Sequence, residues 1–189
     1  MNYREAFRGR LTRGEEAEDA IARWIETHMR LTVRWHPENR AHNGAPSITL
    51  PDGRRLKCPD MLVSKEGRDD SRDVFVEAKR KDESTWYRKG RRWETGIDVH
   101  YYDAYCEVEQ ETGHPVTLAF LHTQPEPSAR DLSLGSPTSA PTGLYVQKLH
   151  HLATSESHRH PGSGYGGEGM VYWGLDRFLW LASVEHVLG

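Results

Sequence analysis

CPDMLVSKEGRDDSRDVFVEAK, residues 58–79, sets two apolar runs on either side of a charged turn. Met61-Leu62-Val63 forms the first run and opens directly after Pro59-Asp60. Lys65 to Arg72 reads as the turn. Asp73 to Lys79 is the best strand in the chain, with VFVEAK alternating between its two sides. Residues i and i+2 of a strand project to the same face. Phe75, Glu77 and Lys79 therefore share one face, and Val74, Val76 and Ala78 take the other, which is assigned to the core. Asp60 and Glu77 stand 17 positions apart, room for one strand, a hairpin turn and the next strand.

The flanking sequence extends this hairpin on both sides. Glu15 to Met29 reads as an amphipathic helix, because Ala17, Ile21, Trp24, Ile25 and His28 fall on one stripe. Thr12 could cap it, with Glu15 as the other half of a capping box. Thr32 to Trp35 suits a short strand, and His36 to Pro46 a loop. Ser47 to Val63 reads as β structure around Pro51-Asp52-Gly53, a turn in which Pro presets φ and Gly permits φ > 0. After the VFVEAK strand, a basic and aromatic stretch runs from Arg80 to Gly96. A helix follows over roughly Ile97 to Glu111, closed by Gly113 at C′ and Pro115 beyond it.

Val116 to Leu121 is an apolar strand, and Leu144 to Leu149 another. Thr123 to Thr142 and His150 to Glu168 are rich in Pro, Ser, Thr, Gly and His, and read as loops, mobile over about 123–142 and 151–168. Met170 to Trp173 suits a strand, and Asp176 to Val187 a closing amphipathic helix. The order is helix, three strands, helix, strand, then appended elements. That order predicts an α/β sandwich with a mixed sheet, as one domain over residues 1–189.

Two charged residues at the end of a buried strand cost free energy unless something compensates them. A metal ion between Glu77 and Asp60 would do so. Carboxylates with a cation beside them suit phosphodiester hydrolysis, which must neutralise developing negative charge and activate a water; a divalent metal does both. Magnesium takes hard oxygen ligands, commonly one or two carboxylates with water and substrate oxygens.

CPDMLV…VFVEAK resembles the PD-(D/E)XK nuclease signature, a proline-aspartate followed by Glu-x-Lys on the adjacent strand. The resemblance covers roughly Glu15 to Leu121. It implies a restriction-endonuclease-like, three-layer α/β sandwich with a mixed central sheet flanked by helices. It implies that Asp60 and Glu77 bind Mg2+ or Mn2+ with the backbone carbonyl of Ala78, and that Lys79 orients or activates the attacking water. A glutamate on the first helix often joins the family's site, and Glu18, at the edge of the buried stripe, is the choice here, with Glu15 in reserve. Some members carry Gln-xxx-Tyr on the second helix; this chain has Tyr101 and Tyr105 at that spacing, with no Gln. The function implied is a metal-dependent deoxyribonuclease, endonuclease ahead of exonuclease. The alternative is a catalytically inactive nucleic-acid-binding or assembly module on the same fold, and an RNA-processing enzyme is a remoter reading.

A net charge of -3 shows that any polyanion site must come from local clustering. The basic stretch offers it: Arg80, Lys81, Arg88, Lys89, Arg91 and Arg92, interleaved with Trp86, Tyr87 and Trp93, suit phosphates and bases of DNA. A solvated loop anchored by its Trp residues is the competing reading. His150, His151, His158 and His160 are too loosely spaced for a transition-metal site and read as loop residues. His100 suits a partly buried residue satisfied by hydrogen bonds. Cys58 and Cys106 form no CxxC pair and read as small buried thiols in a reduced, cytoplasmic setting. The N-terminus has no apolar signal region, and no apolar run reaches bilayer length, so no membrane partner is expected. Oligomeric state stays open; a homodimer would suit a nuclease that cuts both strands.

Overall fold

The computed structural model describes residues 3–35, 46–65, 73–162 and 169–189, with only the backbone described for residues 3–11 and 35. Residues 36–45 of the expected loop, 66–72 of the charged turn and 163–168 of the second long loop fall outside those residues.

The chain opens with helix α1 (Tyr3–Trp24), which passes into a π-helical turn, Ile25–Met29. Arg30 ends it in the left-handed region, at φ 54°. The end agrees with the sequence pattern, but the start does not: Thr12 lies inside α1 rather than at its first turn. The chain has no proline before Pro37, so nothing in the covalent structure stops the helix extending to Tyr3.

Six strands form the central sheet: β1 (Thr32–Trp35), β4 (Met61–Ser64), β5 (Val74–Lys81), β8 (Val116–His122), β9 (Gly143–Lys148) and β12 (Leu179–Ala182), in that spatial order. The sheet is mixed. β5 and β8 run parallel, with Glu77 opposite Leu118, and every other neighbouring pair is antiparallel. Parallel neighbours need a long crossover. Here it includes helix α2 (Val99–Thr112), which ends at Gly113 in the left-handed region, as the Gly-His-Pro sequence predicts.

Each face of the sheet is covered. On one side, Ala17, Ala20, Ile21 and Ile25 of the first helix pack on Val76, Ala78, Ala119 and Leu121. On the other, Tyr102, Tyr105 and Val108 of α2 meet Phe75, Leu118 and Phe120. The expectation of a single core face for β5 is thus corrected. Phe75 and Glu77 are buried as fully as Val76 and Ala78, as befits a strand beside a parallel neighbour with helices on both sides. A mixed α/β sandwich with a central sheet flanked by helices is therefore present, as the sequence predicts.

Two further sheets pack on the α2 side. The hairpin β2 (Ser47–Thr49) and β3 (Arg55–Lys57) turns through Pro51-Asp52-Gly53 with Gly53 at φ 85°, the conformation the turn requires. The other is an antiparallel sheet of β6 (Thr85–Tyr87), β7 (Arg92–Asp98), β10 (His158–His160) and β11 (Met170–Gly174), in the order β10-β11-β7-β6. The basic aromatic stretch is therefore a hairpin rather than an open loop. Gly96 is needed where β7 meets β11, since a Cβ there would lie 2.3 Å from the Val171 carbonyl oxygen.

The C-terminal segment differs from expectation. In place of one helix, residues 175–177 form a 3-10 turn, β12 adds to the edge of β9, and only α5 (Val184–Leu188) is helical. Ser183 explains the break: its hydroxyl accepts from the His186 amide and caps α5, a role serine takes in preference to a helix interior. The segments read as loops hold short helices, α3 (Ala129–Ser133) and α4 (Leu149–Ala153). No helix among the described residues is long and apolar enough to cross a membrane.

Candidate active site

The β4–β5 ladder stops at Met61 opposite Val76. Beyond it the strands lose backbone pairing, and the Asp60 side chain takes over: its Oδ2 accepts from the Ala78 amide at 3.0 Å. Within a paired strand one residue's N–H and C=O point to the same edge. The Ala78 carbonyl therefore faces the edge on which Asp60 lies.

Glu77 and Lys79 project from the next two same-face positions of β5, as their spacing predicts. Lys79 Nζ lies 2.6 Å from Glu77 Oε1. The hydroxyl of Tyr105, on α2, donates to Glu77 Oε2 at 2.6 Å. Glu77 is 2% exposed and Asp60 7%, so both carboxylates are withdrawn from water. Tyr101, one turn before Tyr105, offers its ring to two cations, Lys57 Nζ at 4.4 Å and Lys79 Nζ at 5.0 Å from its centroid. The sequence offers Tyr105 only as part of an incomplete Gln-xxx-Tyr spacing and gives Lys57 no role. The bond from Tyr105 to Glu77 becomes visible only once α2 is laid across β5, because the two lie 28 residues apart.

The electrostatics follow from two carboxylates with one adjacent amine. Burial, then the neighbouring Glu77 charge, holds the Asp60 carboxyl well above the usual range, although Lys79 and the Ala78 amide pull the other way. Burial alone would lower the Lys79 pKa, but Glu77 and Asp60 together outweigh it and hold the amine firmly protonated. Glu18, half-buried on α1, is raised to about 7, first by burial and then by Glu77, with Lys79 opposing. Glu18 thus lies within the field of Lys79 and Glu77, whereas Glu15 is exposed.

The donor set suits a hard divalent cation: two buried carboxylates and a backbone carbonyl, all oxygen, at one end of two strands. Burial is the first cause of the raised Asp60 carboxyl and the Glu77 charge the second, a cost that Lys79 relieves only in part. Among the described residues no group of three or more His, Cys, Asp and Glu side chains is arranged to hold a metal. A cation here would draw two side chains and the Ala78 carbonyl from this set, with water completing its shell.

The basic stretch divides in two. Lys81 turns inward and donates to the Gly96 carbonyl at 2.7 Å, and its pKa falls to about 8 through burial and the nearby Lys79. Arg80 pairs with Asp82 at 2.5 Å, and Arg92 with Glu94 at 3.1 Å. Arg88, Lys89 and Arg91, in the β6–β7 turn, are exposed. His100 is half-buried against Tyr101, and His158 lies on β10 rather than in a loop.

Neither a family model nor a curated protein matches the sequence. Among solved structures the chain is similar to Hjc, a Holliday junction resolvase of the archaeal hyperthermophile Archaeoglobus fulgidus, at 12% identity and a TM-score of 0.45 over 94% of this chain and 99% of that one. A likeness so distant carries no conclusion about this chain.

Proposed function

We propose that the chain is a metal-dependent nuclease of the PD-(D/E)XK type, a single domain that hydrolyses DNA phosphodiester bonds. One observation carries the reading: Asp60, Glu77, Lys79 and the Ala78 backbone converge where the β4–β5 ladder ends. Chance Pro-Asp and Glu-x-Lys sequences have no reason to meet as a buried, hydrogen-bonded set.

Asp60, Glu77 and the Ala78 carbonyl would hold Mg2+ or Mn2+. When bound, such an ion neutralises charge developing on the scissile phosphate and makes a nucleophile of water. Tyr105 fixes the Glu77 carboxylate by its 2.6 Å hydrogen bond. Lys79, held protonated by Glu77 and Asp60, acts as a cationic group that orients the attacking water and faces phosphate oxygen. Glu18, half-buried on α1 and within the field of Lys79 and Glu77, would join the site as a further carboxylate for the ion. Arg88, Lys89 and Arg91 would meet the DNA backbone.

The test is incubation with circular, linear, single-stranded and branched DNA in Mg2+ or Mn2+, with Asp60→Asn alongside. Cleavage that opens circles, stops with chelator and is lost in Asp60→Asn is the expected result. Full cleavage in excess chelator, or at the wild-type rate in Asp60→Asn, overturns the assignment.

A further inference from the structure

One cation beside the carboxylate site stands outside its ion pairs. Lys57 closes β3, three residues before Asp60. Leu56 and Cys58, on either side of it, are buried in the cluster that holds Tyr102 and Tyr105 of α2. These two neighbours fix the backbone of Lys57 against α2. Its Nζ stands over the Tyr101 ring, 4.4 Å from the centroid, and Lys79 Nζ stands over the same ring at 5.0 Å. Tyr101 is thus a shared platform for two ammonium groups, one from β3 and one from β5.

The two cations differ in their anions. Lys79 has Glu77 at 2.6 Å and the Asp60 charge near it. Among the described residues no carboxylate pairs with Lys57, and the ring is what holds it. A ring face attracts an ammonium group through its quadrupole but carries no net charge. The ring therefore places the Lys57 amine without neutralising it. Two ammonium groups on one ring also repel each other. An anion that meets both relieves that repulsion. It can reach them, since Lys57 is only half-buried and the Lys79 side chain is 33% exposed.

We infer that Lys57 is a second phosphate-binding residue of this site, held for that task by Tyr101. This rests on the nuclease reading for the ligand, a DNA strand, and it adds the direction in which the strand is gripped. Lys79 faces the scissile phosphate, and Lys57 takes a neighbouring phosphate on the β3 side of α2. Lysine is a point charge on a flexible stem, so what it gains from the ring is a fixed location. Tyr101 is a positioning residue, since it touches the amine and not the phosphate. A phosphate contact sets the register of the strand and carries no base information.

The experiment measures anisotropy of a labelled DNA duplex binding to the full chain in chelator, over a series of salt concentrations. Chelator keeps metal and cleavage out of the measurement. Lys57→Met keeps an apolar stem against Tyr101 and removes the charge. It should bind more weakly, with a log–log salt slope shallower by about 0.9, the value of one phosphate. Should Lys57→Met fail to fold, Lys57→Gln removes the same charge. Lys57→Arg should keep affinity and slope near wild type, because a guanidinium also rests on a ring and binds phosphate. In a Tyr101→Leu background, where the amine is no longer held, Lys57→Met should cost less affinity than it does in wild type. A wild-type slope in Lys57→Met, or a wild type that binds no DNA, overturns the inference. Equal losses in Lys57→Met and Lys57→Arg overturn it too, since they mark a packing role. An equal cost in the two backgrounds removes Tyr101 from it. The nuclease reading fails separately. A slope governed by Lys57 in a protein that cleaves nothing keeps the phosphate contact and discards the nuclease; cleavage with an unchanged slope does the reverse.

Discussion

Two buried glutamates in this molecule each pair with a cation two residues away on the same strand. Glu77 meets Lys79 at 2.6 Å on β5, and Glu94 meets Arg92 at 3.1 Å on β7. Locally the two are alike. They differ in what the neighbouring strands bring. Beside Glu77 the end of β4 places Asp60, so two carboxylates share one amine and the surplus is negative. Beside Glu94 the sheet places His158, stacked between two tyrosines with its Nδ1 3.5 Å from Glu94 Oε2, so one buried carboxylate has a guanidinium and an imidazole beside it. A Glu-x-Lys pattern thus fixes little alone; the second carboxylate across the ladder is what sets the surroundings of Glu77 apart.

The largest effect expected from that difference is catalytic. Asp60→Asn should reduce cleavage by on the order of 10³-fold or more, since charge stabilisation at the scissile phosphate is lost. Glu94→Gln, which has no second carboxylate beside it, should cost far less of the single-turnover rate at saturating DNA. Quenched-flow cleavage of both variants checks the pair, and equal losses in the two would erase the distinction between the sites.

Tyr105→Phe comes next. It leaves Glu77 Oε2 buried without its donor, which costs about 1–3 kcal/mol of unfolding free energy. Urea denaturation of the metal-free protein measures it. A midpoint equal to wild type would show that Glu77 finds another donor and that Tyr105 does not fix it.

A smaller effect is the pH dependence of stability. Asp60 and Glu18 both have pKa values raised by folding, so the native state binds protons more tightly than the unfolded chain. Their contribution is greatest in acid, below the ordinary carboxylate range. It declines as pH rises, for Glu18 until the pH passes about 7. In chelator at pH 8, Asp60→Asn should therefore raise Tm, by on the order of 2–4 °C for each kcal/mol relieved. The gain should shrink in acid. A variant that melts lower than wild type at pH 8 would contradict the charge surplus.

The smallest effect concerns salt. Replacing Arg88, Lys89 and Arg91 with Ala should flatten the dependence of DNA affinity on salt, by about 0.9 in the log–log slope for each phosphate that is no longer neutralised. An unchanged slope returns the β6–β7 turn to a merely solvated one.

The two regions also differ in how far the sequence reveals them. Asp60, Glu77 and Lys79 are legible because their signals are local: a proline-aspartate, an apolar run, and period-two alternation within a hairpin. Even there the alternation assigns β5 one core face, where the structure buries both. The second sheet is not legible in that way. β7 and β11 pair Glu94 with Gly174 and Asp98 with Met170, partners more than 70 residues apart that no local period encodes. Arg92, Trp93 and Glu94 alternate charge with aromatic and so resemble a solvated loop until β6 pairs with all three and β11 with Glu94. Tyr105 falls between these cases. Its helix is plain in the sequence, but its hydrogen bond to Glu77 depends on how α2 lies across the sheet. The C-terminal break does carry a local signal, since Ser183 is a capping residue set inside the stretch that reads as one helix.

The central claim is that the carboxylates at the end of β4 and β5 hold a cation. The most direct measurement is the anomalous scattering of Mn2+ soaked into crystals of the protein. The account predicts a peak within ligand distance of Asp60, Glu77 and the Ala78 carbonyl, absent in Asp60→Asn. A saturated crystal with no peak there, or an equal peak in the Asp60→Asn crystal, would contradict it.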